Sequence, residues 1–278
     1  MSGPRTGISA TGADAAEIVE LAVLAEAHNV DLLVVGNVRA GRPNGDDTYV
    51  VTAAAAAAAR TRYPRIAVVL DLRGSAPPLR VAEDLGVLDV LSHGRLELLV
   101  RQGPDPDPSL TRDLDSVLGA WTAWPLDDAA RPERFLPVTP SPVQPEIPTW
   151  LVDAADPATG RSSSRVGSLV FLEWPAGTPV PDAAELHRIR KIRGAAEATT
   201  VVFDLADVPR SDRTDAVKLL GTVVAPCLRC ADEEVDILAL DSADWLLRRT
   251  ALHEPPKRND SPASFVSPST SHQKETST

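Results

Sequence analysis

Residues 78–100 read PLRVAEDLGVLDVLSHGRLELLV, and this stretch decides the fold. Its apolar residues recur at three- and four-residue spacing, which predicts a helix over residues 79–91. The period breaks at residues 92–94, where Gly94 suits a left-handed helix cap. Residues 96–100 are nearly all apolar, as in a strand that is buried on both faces. A helix that leads through a tight turn into a buried strand is half of a β-α-β unit.

Apolar runs alternate with helical patterns along the rest of the chain. Further strands are predicted over residues 6–10, 30–35, 65–70, 149–152, 169–173, 200–205 and 235–240. Helices are predicted over residues 14–28, 48–62, 109–121, 160–166, 183–193 and 215–224, and Asp14 is the expected cap of the first. Eight parallel strands with helices between them close a ring, so the expected fold is an α/β protein of the (β/α)8 barrel type, trimmed or irregular in places.

Length and composition set the domain organisation and the class of partner. The chain has 278 residues, enough for one barrel, which we assign to residues 1–253. Residues 254–278 are rich in Pro, Ser and Thr, so we expect a disordered tail there. A formal net charge of −11 disfavours nucleic-acid and membrane-surface partners. No apolar run approaches the ~20 residues of a membrane span and residues 1–12 lack a signal pattern, so a cytoplasmic location is expected.

The cysteines and two of the histidines are interpreted as structural. Cys227 and Cys230 are the only cysteines and form a C-x-x-C motif, which can be a redox pair or half of a metal site. No second cysteine pair or histidine cluster accompanies them, so we expect structural thiols and no metal. His28 and His93 fall at predicted helix ends, on the side of a barrel that faces away from its active site.

Two long segments resemble the luciferase-like flavin-dependent monooxygenases, the family of bacterial luciferase. Residues 81–98, VAEDLGVLDVLSHGRLEL, are similar to the family signature that leads into the fourth strand of a (β/α)8 barrel. Residues 138–152, VTPSPVQPEIPTWLV, are similar to the segment that leads into strand five. Residues 25–35 resemble the approach to strand two, with Asn29 where the family usually has Gly. The long segments occur in the family's order and at a similar separation, so the chain resembles a divergent, shortened member.

The resemblance implies a flavin-dependent oxidoreductase, specifically a monooxygenase that uses reduced FMN, or the deazaflavin F420, with O2 and a small organic substrate. It also implies a separate flavin reductase as a partner and a homodimer as the candidate assembly. Relatives carry a longer excursion before strand five, so this chain resembles a trimmed barrel. The strand count is open, because residues 202–211 and 223–229 also resemble the last strand and final helix of some relatives. Residues 231–250 would then be an extension outside the barrel.

Site residues are expected just past the strands, because the active sites of (β/α)8 barrels lie at the carboxyl ends of the strands. Asn37, Asp71 and Arg101 follow strands two, three and four and are candidate cofactor contacts. Residues 154–165, AADPATGRSSSR, resemble the family's phosphate loop, in which backbone N–H groups, hydroxyls and an Arg bind the anion. On that resemblance the candidate phosphate contacts are Thr159, Gly160, Arg161 and Ser162.

Two departures from the family pattern support an alternative function. Asp156 lies in the phosphate-loop segment, where a carboxylate would repel a phosphate. Leu99 to Arg101 stand where the family has glycines or an Asn that let the flavin approach the backbone. The alternative is a degenerate luciferase-like barrel without turnover, acting as a flavin-binding or interaction protein. No catalytic acid–base pair, nucleophile or nucleotide-binding motif is recognisable, so catalytic residues are not assigned.

Overall fold

The computed structural model describes residues 4–39, 47–72, 76–102, 108–121, 138–153, 160–162, 168–174, 181, 183–195 and 198–229. Its strands are β1 (Arg5–Ser9), β2 (Leu32–Val35), β3 (Arg65–Leu70), β4 (Leu96–Gln102), β5 (Thr149–Asp153), β6 (Gly160–Ser162), β7 (Ser168–Glu173) and β8 (Ala198–Asp204). Its helices are α1 (Ala15–Ala27), α2 (Asp47–Arg60), α3 (Pro78–Leu91), α4 (Pro108–Gly119), α5 (Ala183–Ala195), α6 (Arg210–Leu219), a π-helical segment (Leu220–Val224) and α7 (Ala225–Arg229). No helix within these ranges is both long and apolar enough to span a bilayer.

The eight strands form a closed barrel in chain order, which confirms the predicted α/β barrel. The ring closes because β8 pairs in parallel with β1, from Thr200 opposite Arg5 to Asp204 opposite Ser9. This agrees with the alternative strand count, in which the last strand ends near residue 205. The strand predicted over residues 235–240, the domain boundary at residue 253 and the tail lie outside the described residues and stay predictions.

The barrel departs from a fully parallel arrangement at β6. This three-residue strand runs antiparallel to both β5 and β7, with Gly160 opposite Val152. The helix predicted over residues 160–166 is therefore wrong, since its first three residues belong to this strand. The physical reason is length. Residues 154–159 and 163–167 are too few for a crossover between parallel strands, which needs about a dozen residues or more, so the chain turns back on itself.

Alternate residues of each strand face the barrel interior, as the two-residue period of a strand requires. The interior has its own hydrophobic cluster, separate from the larger core between strands and helices. Its members are Leu32, Val34, Val38, Ala67, Val69, Leu99, Trp150, Val152, Leu169, Phe171 and Val202. At the amino-terminal end of the barrel, buried Glu97 accepts hydrogen bonds from Arg5 and Arg65. Ionic groups therefore close this end, and an apolar layer fills the middle.

The two segments that carry the family resemblance contact each other through α3. Asp89 of α3 is fully buried, and its carboxylate accepts hydrogen bonds from the backbone N–H of Val143 (2.7 Å) and of Gln144 (3.0 Å). The side-chain Nε2 of Gln144 donates to the same carboxylate (2.8 Å) and to the carbonyl oxygen of Leu96 at the start of β4 (2.8 Å). Three donors thus compensate the burial of one carboxylate. We call this contact the Asp89–Gln144 clamp.

Arg95, the Arg of the GRLEL sequence, anchors the carboxyl end of α2. Its buried guanidinium donates hydrogen bonds to the carbonyl oxygens of Ala58 (3.0 Å), Thr61 (2.8 Å) and Pro64 (2.7 Å). A cation is favourable at this position because the last carbonyls of a helix lack intrahelical partners and carry the negative end of its dipole. The alanine-rich α2 has little side-chain surface to interlock with its neighbours, so this polar contact fixes where it ends.

Local backbone signals in the sequence agree with the structure at the helix ends. Asp14 caps α1 by accepting a hydrogen bond from the N–H of Glu17 at 2.8 Å. Gly94 has the left-handed backbone that the sequence predicts, with φ of +74°, and Asn29, which stands where the family usually has Gly, has φ of +56°. His93 also has a positive φ, of +55°, which the sequence does not signal.

The helical run after β8 lies against the end of α1. Gly221, in the π-helical segment, faces the backbone of His28 so closely that a Cβ atom built on it would overlap the carbonyl oxygen of His28. This close approach requires a residue without a side chain. Two helices that are nearly two hundred residues apart in sequence are therefore fitted to each other by one glycine.

Candidate functional site at the barrel mouth

The carboxyl ends of the parallel strands define the mouth of the barrel. Ser9 of β1, Arg101 of β4 and Asp204 of β8 are buried polar residues at interior-facing positions near this end, and each is at most 5% exposed. Among the apolar residues of the interior cluster, Val34 is registered with Ser9 and Val152 with Arg101. A few buried polar groups among apolar side chains are typical of a site for a small molecule.

Residues 36–39 leave the end of β2 and cross this mouth, and we call them the strap. Val38 is 1% exposed and belongs to the interior cluster, so its side chain points down into the barrel. The carbonyl oxygen of Asn37 accepts a hydrogen bond from Nη1 of Arg101 at 3.4 Å, on the β4 side of the mouth. The side-chain oxygen of Asn37 accepts from the N–H of Arg39 at 2.9 Å. The strap is therefore held over the barrel interior from one side by Arg101.

Arg39 fastens the strap to the opposite side of the mouth. Its Nε donates to Oδ2 of Asp204 at 2.6 Å and its Nη1 donates to Oδ2 of Asp207 at 2.7 Å. Its Nη2 lies 3.5 Å from Oε1 of Glu173 at the end of β7. Asp204 is buried, whereas Asp207 and Glu173 are exposed, so solvent screens the two outer pairs more than the inner one. Partial burial opposes the charge of Arg39, but the hydrogen bonds to Asp207 and Asp204 outweigh it and raise its pKa.

Buried hydroxyls connect β1 to the start of the strap. The Oγ atoms of Ser9 and Thr11 lie 2.8 Å apart, and Thr11 also donates to the carbonyl oxygen of Gly36 at 3.4 Å. Because Thr11 uses its proton on Gly36, Ser9 is the donor in the bond that the two hydroxyls share. Both residues are at most 2% exposed. The strap is thus tied to β1 as well as to β4 and β8.

The structure brings two of the predicted site residues together. Asn37 and Arg101 are in hydrogen-bond contact at the mouth. Asp71 lies just beyond β3, partly exposed, and its N–H donates to Oδ1 of Asp47 at the start of α2 (3.4 Å), so it belongs to the rim. The assignment of these residues to cofactor binding stays a prediction.

The predicted phosphate contacts lie on the next part of the barrel wall. Thr159 is outside the described residues, and Gly160, Arg161 and Ser162 form β6. Val152 is registered with Arg101 on one side and with Gly160 on the other. Gly160 is therefore level with Arg101 and two strands away, which corresponds to about 10 Å.

Sequence reasoning missed several residues of the mouth. Ser9 and Asp204 could have been found, because each is two positions along its strand from another interior-facing residue. Arg39 gives no sequence signal beyond its place in a loop after a strand. Its partners come from the far end of the chain, and only the closure of the barrel brings them near.

Neither cysteine contributes to the mouth as far as the structure describes the chain. Cys227 is buried in α7, and Cys230 lies outside the described residues. Within the described ranges, no group of three or more His, Cys, Asp or Glu side chains is placed to hold a metal ion. The structural interpretation of the C-x-x-C motif stays a prediction.

Comparison with known proteins finds similarity in three-dimensional structure. No protein-family model matches the sequence, and no curated protein has significant sequence similarity to it. An F420-dependent secondary alcohol dehydrogenase, solved with an F420–acetone adduct, has a TM-score of 0.55 and 11% identity over 82% of this chain and 100% of that chain.

Two monooxygenases are also similar, over smaller shares of their length. The monooxygenase RslO1 from Streptomyces bottropensis is 26% identical with a TM-score of 0.41, over 70% of this chain and 66% of that chain. The oxygenating constituent of 3,6-diketocamphane monooxygenase from Pseudomonas putida, solved with FMN, is 15% identical with a TM-score of 0.41, over 72% of this chain and 67% of that chain. The chain thus spans about two thirds of the length of these two proteins. The likeness to the F420-dependent dehydrogenase shows that this chain has the same barrel fold, which is the fold that the resemblance to the luciferase-like flavin enzymes implied.

Proposed function

We propose that the protein is an oxidoreductase of the luciferase-like flavin-dependent type, which holds FMN or F420 at the mouth of its barrel and acts on a small organic substrate. The finer proposal is a monooxygenase that uses O2 together with reduced FMN. A separate flavin reductase supplies the reduced FMN. The observation that carries the proposal is the buried Arg101 beside Asn37, at the carboxyl end of the strand that follows the family-like segment. A reduced flavin-type cofactor supplies two electrons to a substrate or to O2.

The residues of the mouth fit the ring of such a cofactor. Arg101 carries N–H donors for the oxygen and nitrogen atoms along the ring edge, and the carbonyl of Asn37 already orients its guanidinium. Val69, Val152 and Phe171 provide apolar surface in the barrel interior below the strap. Apolar walls exclude water and strengthen the hydrogen bonds of a buried guanidinium, because the local dielectric is low.

The charges of the mouth favour one direction for the phosphate. Glu173, Asp204 and Asp207 lie at or just beyond the ends of β7 and β8 and surround the cation of Arg39, so the described part of this side is rich in carboxylates and is unfavourable for an anion. Arg101 lies on the opposite side, level with Gly160 of the predicted phosphate loop. These positions support a phosphate near β4 to β6 and a substrate nearer to β7, β8 and β1.

The proposal predicts that FMN or F420 binds and that Arg101 contributes to the affinity. In a titration followed by absorbance between about 350 and 470 nm, or by fluorescence, we expect saturable binding of one of these cofactors. Arg101→Gln should weaken binding by about 1.5–3 kcal/mol, roughly 10- to 150-fold, because a charge-assisted hydrogen bond is lost. Arg161→Ala should have an effect of similar size if the predicted phosphate loop is correct.

Arg5→Gln is the matched control, because Arg5 also points into the barrel but from its amino-terminal end, where it pairs with Glu97 (2.7 Å). The Arg5→Gln variant measures how much cofactor affinity is lost when the barrel is destabilised away from the mouth. Equal losses in the Arg5 and Arg101 variants would remove Arg101 from the cofactor site. The absence of binding of both cofactors, far above usual cofactor concentrations, would contradict the proposed function.

The degenerate barrel remains the second candidate, and one observation favours it. Val38 of the strap occupies the space above the interior cluster, and Arg39 ties the strap across the mouth to Asp204. In a barrel that keeps this arrangement permanently, Val38 and the strap cover the interior cluster, so three fused rings could not reach it. This candidate predicts that neither cofactor binds and that the strap never opens.

A further inference from the structure

We propose that the strap, residues 36–39, is a gate of the barrel mouth and that Arg39 is its latch. The part of the proposal that concerns the entering ligand rests on the proposed function, whereas the opening of the strap itself does not. Arg39 acts through the strap and is a positioning residue. When its ion pairs break, Val38 leaves the barrel interior and a ring-shaped ligand can reach Arg101.

The strap reaches from one side of the barrel mouth to the other. It starts at β2, is bonded on one side to Arg101 of β4, and is bonded on the other side to Asp204 of β8. β2 lies between these strands in the closed ring, two positions from each. A segment that reaches both sides covers the opening between them. The level below it contains Val69 and Val152, which are 0% exposed.

The contacts that hold the strap in place differ in strength. Val38 is the only member of the interior cluster that comes from outside the described strands, so it can leave without breaking the ladder of the barrel. The exposed side chains of Asp207 and Glu173 are in contact with solvent, so two of the three ion pairs of Arg39 are weakened by screening. The pair with buried Asp204 is the strong one, and it depends on the guanidinium.

Thiol labelling at position 38 tests the opening of the strap without any cofactor. In a Cys230→Ser background, Val38→Cys places a thiol in the gate, native Cys227 reports global unfolding because it is buried in α7, and Val143→Cys, at a position that is 60% exposed, gives the rate of a free thiol. A maleimide is the probe, and mass spectrometry locates the label. We expect position 38 to react more slowly than position 143 and faster than Cys227.

The latch is tested in the same background. Adding Arg39→Gln should accelerate labelling at position 38 by about tenfold, since a buried charge-assisted contact is lost, and should leave Cys227 unchanged. In Arg39→Lys the labelling rate at position 38 should lie between those of the parent and Arg39→Gln. Lysine keeps the positive charge but lacks the planar guanidinium that donates to two carboxylates at once. Raising the ionic strength to about 1 M should accelerate labelling in the parent and less in Arg39→Gln.

Arg210→Gln is the matched control, because Arg210 also faces three carboxylates, Asp14, Glu17 and Glu20, but outside the barrel. It should not change labelling at position 38. If position 38 reacts in parallel with Cys227 in every variant, or if Arg39→Gln has no more effect than Arg210→Gln, there is no gate. Should Arg39→Gln unfold the protein, Asp204→Asn and the salt series test the same contact.

A second experiment, with FMN, distinguishes failure of the gate from failure of the proposed function. The association rate of FMN, measured by stopped-flow fluorescence, should rise in Arg39→Gln along with the labelling rate. Labelling that responds while no flavin binds leaves the gate intact and contradicts the proposed function. Flavin binding at an unchanged rate in Arg39→Gln overturns the gate and leaves the proposed function standing.

Discussion

Asp89→Ala is expected to lower the free energy of unfolding by about 3–4 kcal/mol, because it removes the only carboxylate that serves three donors of the Asp89–Gln144 clamp. A buried donor without an acceptor costs about 1–3 kcal/mol, and partial access of water to the segment of Val143 reduces the sum. Chemical denaturation of the parent and the variant, followed by circular dichroism, measures the difference.

Asp84→Ala is the control on the same helix. Asp84 is partly exposed and pairs with Arg80 at 3.0 Å, so its loss should cost at most about 0.5 kcal/mol. Gly86→Ala tests the same contact surface independently, because its Cβ would overlap the carbonyl oxygen of Pro140 in the segment that the clamp holds. A stability of Asp89→Ala within about 0.5 kcal/mol of Asp84→Ala would show that the clamp does not stabilise the barrel.

Gly221→Ala is expected to destabilise the protein by about 3 kcal/mol, the upper end of the usual cost of overpacking. The new methyl group would overlap the carbonyl oxygen of His28 and lie 2.8 Å from its Cβ. Backbone atoms cannot turn away as the end of a side chain can, so α1 or the π-helical segment must shift. Thermal unfolding by calorimetry measures the effect.

Gly194→Ala is the matched control, since Gly194 lies in α5 with nothing within 4 Å of its Cβ position. There the same substitution should stabilise the protein by roughly 0.5–1 kcal/mol, because alanine has the higher helix propensity. Opposite signs at the two positions are the expected result. If both variants were stabilised, the close approach of Gly221 to His28 would not exist in solution.

Periodicity predicted most of the barrel because each element carries its own signal. The stripe of Val81, Leu85 and Leu88 predicted α3, and the apolar runs predicted seven of the eight observed strands. β6 was missed because three residues are too short for a period, and the Ser-rich sequence from Ser162 onwards does not read as a strand. The antiparallel direction of β6 follows from the short connections to β5 and β7. A periodicity pattern read over a few residues does not take those connections into account.

The mouth was less predictable than the wall around it. Asn37 and Arg101 could be predicted because the carboxyl end of a parallel strand is a fixed place in a barrel. The contact between them, and the reach of Arg39 to Asp204, depend on which strands become neighbours across the opening. These two contacts join residues that are 64 and 165 positions apart. Local sequence patterns contain no information on that pairing.

Because of the Asp89–Gln144 clamp, the number of residues between β4 and Val143 can vary without moving β5. With Val143 held beside α3, the distance that the intervening residues must span stays the same whatever their number. Loop closure costs only about 0.6 kcal/mol more for each doubling of length. Insertions and deletions between β4 and β5 can therefore accumulate over evolution while both strands keep their register. Barrels of this design can vary in that region without altering the core on which folding depends.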